Sequence, residues 1–137
     1  MEEKRLVSFH EIGPVTVASV HVTSLVGGML WEGVTEELLN KVRQAEAVHL
    51  LLDFRGAQHV SMEIFSEVLQ IDEAVKASGG SMRLCGLRKP IREILETSEL
   101  DRQLHIEGAV QHALPRYVRF LQQERKEAHG LVDGRNN

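Results

Sequence analysis

The amino-acid sequence predicts a single α/β domain, with a mostly parallel, mixed sheet and crossover helices largely on one face. Three observations predict it. From residue 15 onward, segments with strand character alternate with segments of helical spacing, as parallel strands joined by crossovers require. "VHLLL", Val48 to Leu52, is a nearly continuous apolar run, which suits a central strand covered on both faces. The chain has 137 residues, enough for one domain with a modest core.

The elements follow in order. Leu6 to Ile12 reads as a strand. Gly13-Pro14 then supplies a turn, so this strand should pair antiparallel with the next. "VTVASVHV", Val15 to Val22, is β-branched and roughly alternating, hence a second strand. Thr23 to Gly33 reads as a loop carrying Gly27-Gly28 and the apolar pair Leu30-Trp31, with Trp31 favoured as a core plug over a surface anchor. Thr35 is the expected cap of the first helix, with Glu36 and Glu37 in its first turn. Val34, Leu38, Leu39 and Val42 form its apolar stripe.

After Val48–Leu52 comes a helix with Ile64, Phe65, Val68, Leu69, Ile71, Ala74 and Val75 at helical spacing. Ser78-Gly79-Gly80 ends it. Met82 to Cys85 is a short strand, and Pro90 fits the first turn of the next helix. Ile91, Ile94 and Leu95 should face inward. Leu104 to Ile106 is the last strand. Pro115 either kinks the final helix or begins a new one. Residues 1–128 form the domain, and the polar stretch 129–137 reads as a flexible C-terminal tail.

Composition excludes several functions. The net charge of −4 gives no electrostatic case for nucleic acid or an anionic membrane. Aromatic residues are 4% of the chain, too few for a base-stacking surface. No apolar run approaches the roughly 20 residues that span a bilayer. "MEEKR" lacks the apolar core of a secretion signal. Cys85 is the single cysteine and cannot form an internal disulfide, so it reads as a small filler in a strand. A cytoplasmic protein is expected.

Chemistry is sparse. Seven histidines are scattered through the chain: His10, His21, His49, His59, His105, His112 and His129. None lies in a metal-ligand frame, so no metal and no cofactor are expected. No phosphate-cradling glycine loop and no nucleophile elbow is present. Asp53 ends the central strand at the carboxyl edge, where open sheets place ligands. Its bland role is to hold the strand-end loop through bonds to backbone N–H groups. Function therefore reads as non-enzymatic. The alternative is a small α/β ligand-binding domain or enzyme using Asp53 and His59.

At Val48 to Leu69 the sequence resembles the STAS domain family, the sulfate-transporter and anti-sigma-factor-antagonist family. The family pattern is an apolar strand, an Asp, a short loop, then Asp-Ser, a small residue, Gly and a Leu-rich helix. Asp53 matches the strand-end acid, Gly56 a small loop residue, and Val60 the apolar position before the junction. "SGGSMRLCGL" and "IREILETSELDRQLHI" are similar to two further family segments, and the likeness runs from about Val15 to Leu114. The resemblance implies a module that binds an anti-sigma factor or serine-kinase-like protein, or another STAS-containing assembly, with a homodimer also possible. It implies partner switching, while the composition gives the expectation of no nucleic acid and no membrane. The partner-binding face carried over is Asp53, Gly56, Gln58, His59, Val60, Ser61, Met62, Glu63 and Phe65.

This chain departs from the family at the junction itself. The family's Asp is Ser61, its phosphate-accepting Ser is Met62, and its Gly is Ile64. A methionine takes no phosphate, so regulation at the usual position is not expected. Ser61 is the remaining candidate phosphosite, but its simpler role is a helix cap worth about 1 kcal/mol. Met62 could point outward as an adaptable contact or inward as core.

Overall fold

The computed structural model describes residues 6–25 and 29–136, and side chains at all of these save 24, 25, 29, 30, 101 and 128–136. Two strands open the fold, β1 (Val7–Ile12) and β2 (Val15–Val20), paired antiparallel from Val7↔Val20 to Ile12↔Val15. Gly13-Pro14 makes the two-residue turn, and Gly13 takes φ +59, a value that side chains resist. Then come β3 (Ser24–Leu25), α1 (Met29–Gln44), β4 (His49–Asp53), β5 (His59–Val60) and α2 (Ile64–Ala77). The chain ends with β6 (Ser81–Cys85), α3 (Lys89–Thr97), a 3-10 turn at Leu100–Arg102, β7 (His105–Ile106) and α4 (Val110–Asn136).

The main sheet has five strands in the order β1-β2-β4-β6-β7. Only β1 and β2 are antiparallel; β4 runs parallel to both its neighbours, and β7 parallel to β6. Successive side chains on a strand alternate between faces. One set, Ala18, Val20, Leu50, Leu52 and Leu84, packs with Trp31, Val34 and Leu38 of α1, Phe65, Val68 and Ile71 of α2, and Leu95 of α3. The other set, Val15, Val17, Leu51 and Cys85, packs with Ala113, Tyr117 and Leu121 of α4. Three helices thus share one face and α4 covers the other. The middle of the central strand, Leu50 to Leu52, is apolar because both its faces are buried. Trp31 is a core residue, 2% exposed.

Several expectations change. The first helix starts at Met29, not at a Thr35 cap. Trp31, Val34 and Leu38 carry the apolar stripe back beyond the glycines that suggested a loop. Thr35 is therefore interior to the helix, and its Oγ1 is buried without a partner among the described residues. Gly33 lies in this helix as well, and a Cβ there would stand 2.5 Å from Leu6 Cδ1, so close packing against the first strand replaces the loop role. Gly27-Gly28 lie outside the described residues. Ile94 was expected inward but is 48% exposed, because Leu95 and the half-buried Ile91 occupy the inner side of α3. Pro115 sits inside α4 and begins no new helix. Among the described residues no helix is long and apolar enough to cross a membrane.

Candidate functional site

β4 delivers Asp53 to the carboxyl edge of the sheet, and there the chain is tightly fixed. Asp53 is 2% exposed. Its Oδ1 accepts from the Arg55 backbone N–H at 3.0 Å, and its Oδ2 from Arg55 Nε at 2.9 Å. The acid thus folds the loop back on itself, as its bland role required. Phe54 N–H donates to the Cys85 carbonyl at 2.9 Å, extending the bond to the neighbouring strand by one residue. Gly86, with φ +74, passes beside this acid; a Cβ there would lie 2.7 Å from Asp53 Oδ1. Gly56 approaches the end of β2 so closely that a Cβ would lie 2.7 Å from the Val20 carbonyl oxygen. Neither position has room for a side chain.

The segment read as loop contains β5. Gln58 and His59 both donate their N–H groups to the Thr23 carbonyl, at 2.7 and 3.1 Å. His59 and Val60 then pair parallel with Ser24 and Leu25 in a separate two-stranded ribbon. Nothing in the residue types of this stretch announced that pairing; its bonds are all backbone. Val60 leads into a turn in which Ser61 Oγ accepts the Glu63 N–H at 3.3 Å and the Ser61 carbonyl accepts the Ile64 N–H at 3.2 Å. Glu63 already has helical φ and ψ and supplies no side-chain cap. Ser61 therefore does the capping, two residues ahead of that glutamate.

Together these contacts hold an exposed turn at the head of α2. Gln58, His59 and Glu63 are exposed, while Val60, Ser61 and Met62 are half-buried. Met62 packs its inner side on the main core, so it is neither wholly outward nor wholly inward. Phe65 and Asp53, assigned to the same face from sequence, are buried and offer no surface to a partner. Phe65 instead meets Phe54 with ring centroids 6.3 Å apart at a 49° tilt. That aromatic contact fastens the helix to the strand end beneath the turn.

The chemistry of the turn is limited. Both Asp53 oxygens are engaged by Arg55, and His59 lies in the other ribbon with no hydrogen bond to the acid among the described residues. Burial pushes the Cys85 thiol up to about 12, with the Asp53 carboxylate adding to the shift, so at neutral pH it remains a thiol packed as filler. Among the described residues no three His, Cys, Asp or Glu side chains group as metal ligands would.

Sequence reasoning passed over a second polar cluster, on the α4 side. Glu107, 7% exposed, accepts from Arg83 Nη1 at 3.2 Å and lies 2.6 Å from His105 Nε2. Arg116 stands 3.8 Å from its other oxygen. Arg83 lies between the rings of Tyr117 and Phe120, 4.5 and 4.7 Å from their centroids. The one available signal was a charged residue at a strand position facing an apolar helix stripe.

Comparison with known proteins bears on this geometry. The STAS domain family model matches residues 28–113. Among curated proteins no sequence matches the chain. The solved structure of an anti-sigma-factor antagonist (STAS) domain protein from Planctomyces limnophilus is similar at TM-score 0.69 and 18% identity, over 81% of this chain and 97% of that one. Murine solute carrier 26 family member A9, an anion transporter in the inward-facing state, is similar at TM-score 0.64 and 13% identity, over 79% of this chain and 18% of that one. The Bacillus cell fate determinant SpoIIAA in its phosphorylated form is similar at TM-score 0.57 and 15% identity, over 80% of this chain and 97% of that one. At these identities the likeness is one of fold.

Proposed function

This chain belongs to the STAS domain family, and from that premise we propose that it is a non-enzymatic protein-interaction module of the anti-sigma-factor-antagonist kind. Its partner is an anti-sigma factor or serine-kinase-like protein, or another STAS-containing assembly, met in the cytoplasm. The observation that carries this reading is the fixed, exposed turn Gln58–Glu63 at the head of α2. Two backbone bonds to Thr23 and the Ser61 cap order it before any partner arrives, which lowers the entropic cost of docking. Met62 offers a flexible apolar contact at its centre, with Gln58, His59 and Glu63 as polar rim.

The module works without phosphate at this turn. Met62 has no hydroxyl, and Ser61 Oγ is engaged as the cap, accepting the Glu63 N–H. A phosphate there would add about −1.5 to −2 charges at a capped helix end. Glu63 instead carries a fixed negative charge beside the turn.

Met62→Asp tests the reading. The substitution places a charge that is solvated in the free protein and buried in a complex, which costs about 3 kcal/mol, or roughly a hundredfold in affinity. Wild-type protein used as bait in native lysate should retain a partner that the variant releases. Because Met62 also packs its inner side on the core, the variant should melt lower than wild type yet remain folded at the temperature of the assay. Equal retention by both baits sinks the assignment of the face. Peptide mass spectrometry of protein recovered from the same cells should find Ser61 unmodified; stoichiometric phosphate on it would overturn the unphosphorylated mode.

A further inference from the structure

At the opposite end of the sheet, and on its α4 face, lies a second concave site. A cavity of about 630 Å³ is lined by Pro14, His49, Leu121, Gln122, Glu124 and Arg125, among others. His49 opens β4 and Ser81 opens β6, and the two are paired across the strands. His49 Nδ1 lies 2.8 Å from Ser81 Oγ, and Ser81 Oγ lies 2.5 Å from the hydroxyl of the fully buried Tyr117. Three polar side chains from three elements thus form one chain, running from the core to the cavity wall.

The proton order in this chain is decided by counting donors. If His49 Nδ1–H donated to Ser81 and Ser81 to Tyr117, the tyrosine proton would need a further acceptor, and none bonds it among the described residues. If Tyr117 donates to Ser81 and Ser81 to His49 Nδ1, every proton is placed. His49 is then the Nε2–H tautomer, and that N–H is its one free donor. Burial, the largest influence on this imidazole, favours its neutral form. Beside it stand one carboxylate and one guanidinium, Glu124 and Arg125, both exposed and neither in an ion pair among the described residues.

We propose that this cavity binds a small zwitterion, a free amino acid or dipeptide. Its carboxylate is held by His49 Nε2–H and Arg125, its ammonium by Glu124, and its body lies over Pro14 and Leu121. Opposite unit charges on one wall favour a ligand that carries both. A lone anion or cation would leave one wall charge unmatched. The volume falls within the range of roughly 300–1,000 Å³ usual for small-molecule sites. The site shares no residue with the Gln58–Glu63 turn, so it stands or falls independently of the partner-binding reading.

The test uses the whole protein, with L-leucine and glycyl-L-leucine as probes beside their N-acetylated and C-amidated forms. Nitrogen NMR of His49 in the free protein should show protonated Nε2 and bare Nδ1; the reverse tautomer overturns the donor assignment. At least one unmodified probe should shift the His49 ring resonances saturably. Acetylation or amidation of that probe should weaken binding at least about tenfold, the loss of one charge-assisted hydrogen bond. Glu124→Gln should erase the preference for the free amine, and Arg125→Gln the preference for the free carboxylate. Both side chains are exposed, so both variants should fold. No saturable shift with either probe, or equal binding of the blocked forms, overturns the proposal.

Discussion

At His49, burial disfavours the charged imidazole, and its pKa lies below the ordinary 6.5. Glu124 opposes that shift and Arg125 adds to it, both acting more weakly than burial; Ser81 and Tyr117 face the ring from β6 and α4. The unfolded chain takes up the proton near 6.5 and the folded one resists it. The stability contributed is therefore complete above 6.5 and is lost as pH falls from there through the lowered folded value. Urea midpoints of wild type should drop from about pH 7 to about pH 5.5 more than those of His49→Gln, since every other histidine is common to both. Parallel curves would show that His49 is not coupled to folding. Thr35 gives a second residue-scale case. Its Oγ1 is buried without a partner among the described residues, while valine has the same shape and a similar helix propensity. Thr35→Val should raise stability by about 1 kcal/mol, read as a higher melting temperature. A lowered one would mean that the hydroxyl is satisfied in solution.

Elements differ in how openly the sequence declares them, and the reason is whether side chains or backbone decide. α2 was legible because five apolar residues at helical spacing, Ile64, Phe65, Val68, Ile71 and Val75, are buried. The partner turn was half legible: Asp53 and Ser61 hold local backbone through their own side chains, which residue types reveal. The pairing of β5 with β3 rests on main-chain bonds, which every residue can make. Phe65 misled because a position in a motif says nothing about the direction of a side chain. Glycines proved to carry roles that residue type alone does not separate. Ser78-Gly79-Gly80 does end α2 as read, and in addition a Cβ on Gly80 would stand 1.9 Å from the Val48 carbonyl oxygen. Gly33 read as loop, yet its neighbour is only the tip of the Leu6 side chain. Gly80→Ala should cost about 2 kcal/mol, because backbone must move. Gly33→Ala should be nearly neutral, with a gain of about 1 kcal/mol in helix propensity offset by displacing that tip. Urea denaturation of the pair measures the contrast; equal losses would refute it.

For the molecule as a whole, Glu107 ties together parts that apolar packing alone would leave separable. Arg83 belongs to β6, His105 to β7 and Arg116 to α4, and all three converge on this carboxylate. Arg83 is 8% exposed, so it relies on that partner. Removing the charge with Glu107→Gln should destabilise by about 3 kcal/mol, the cost of leaving a buried cation unpaired. Arg83→Met on top of it should restore much of the loss, because no unpaired cation then remains between the two aromatic rings. Calorimetric melting of wild type, single and double variants decides this; a double variant no better than the single would show that the pair itself, not the stranded charge, holds α4 down. The main strands and their parallel crossovers were legible from alternation and from the Gly13-Pro14 turn, but the strand order and this cluster were not. It depends on which strands become neighbours, and only the fold sets that.

The strand order has a consequence for how the protein is made. β4 lies between β2 and β6, and only β1 and β2 are joined by a short turn. As the chain leaves the ribosome, "VHLLL" emerges with β2 behind it and nothing yet on its other side. It waits for α2 to be synthesised and for β6 to close the sheet across a non-local connection, the slow kind of pairing. During that interval a strand meant to be covered on both faces is bare along one edge, which invites association between nascent chains. The segment that forms the centre of the finished sheet is, during synthesis, the one most in need of a chaperone.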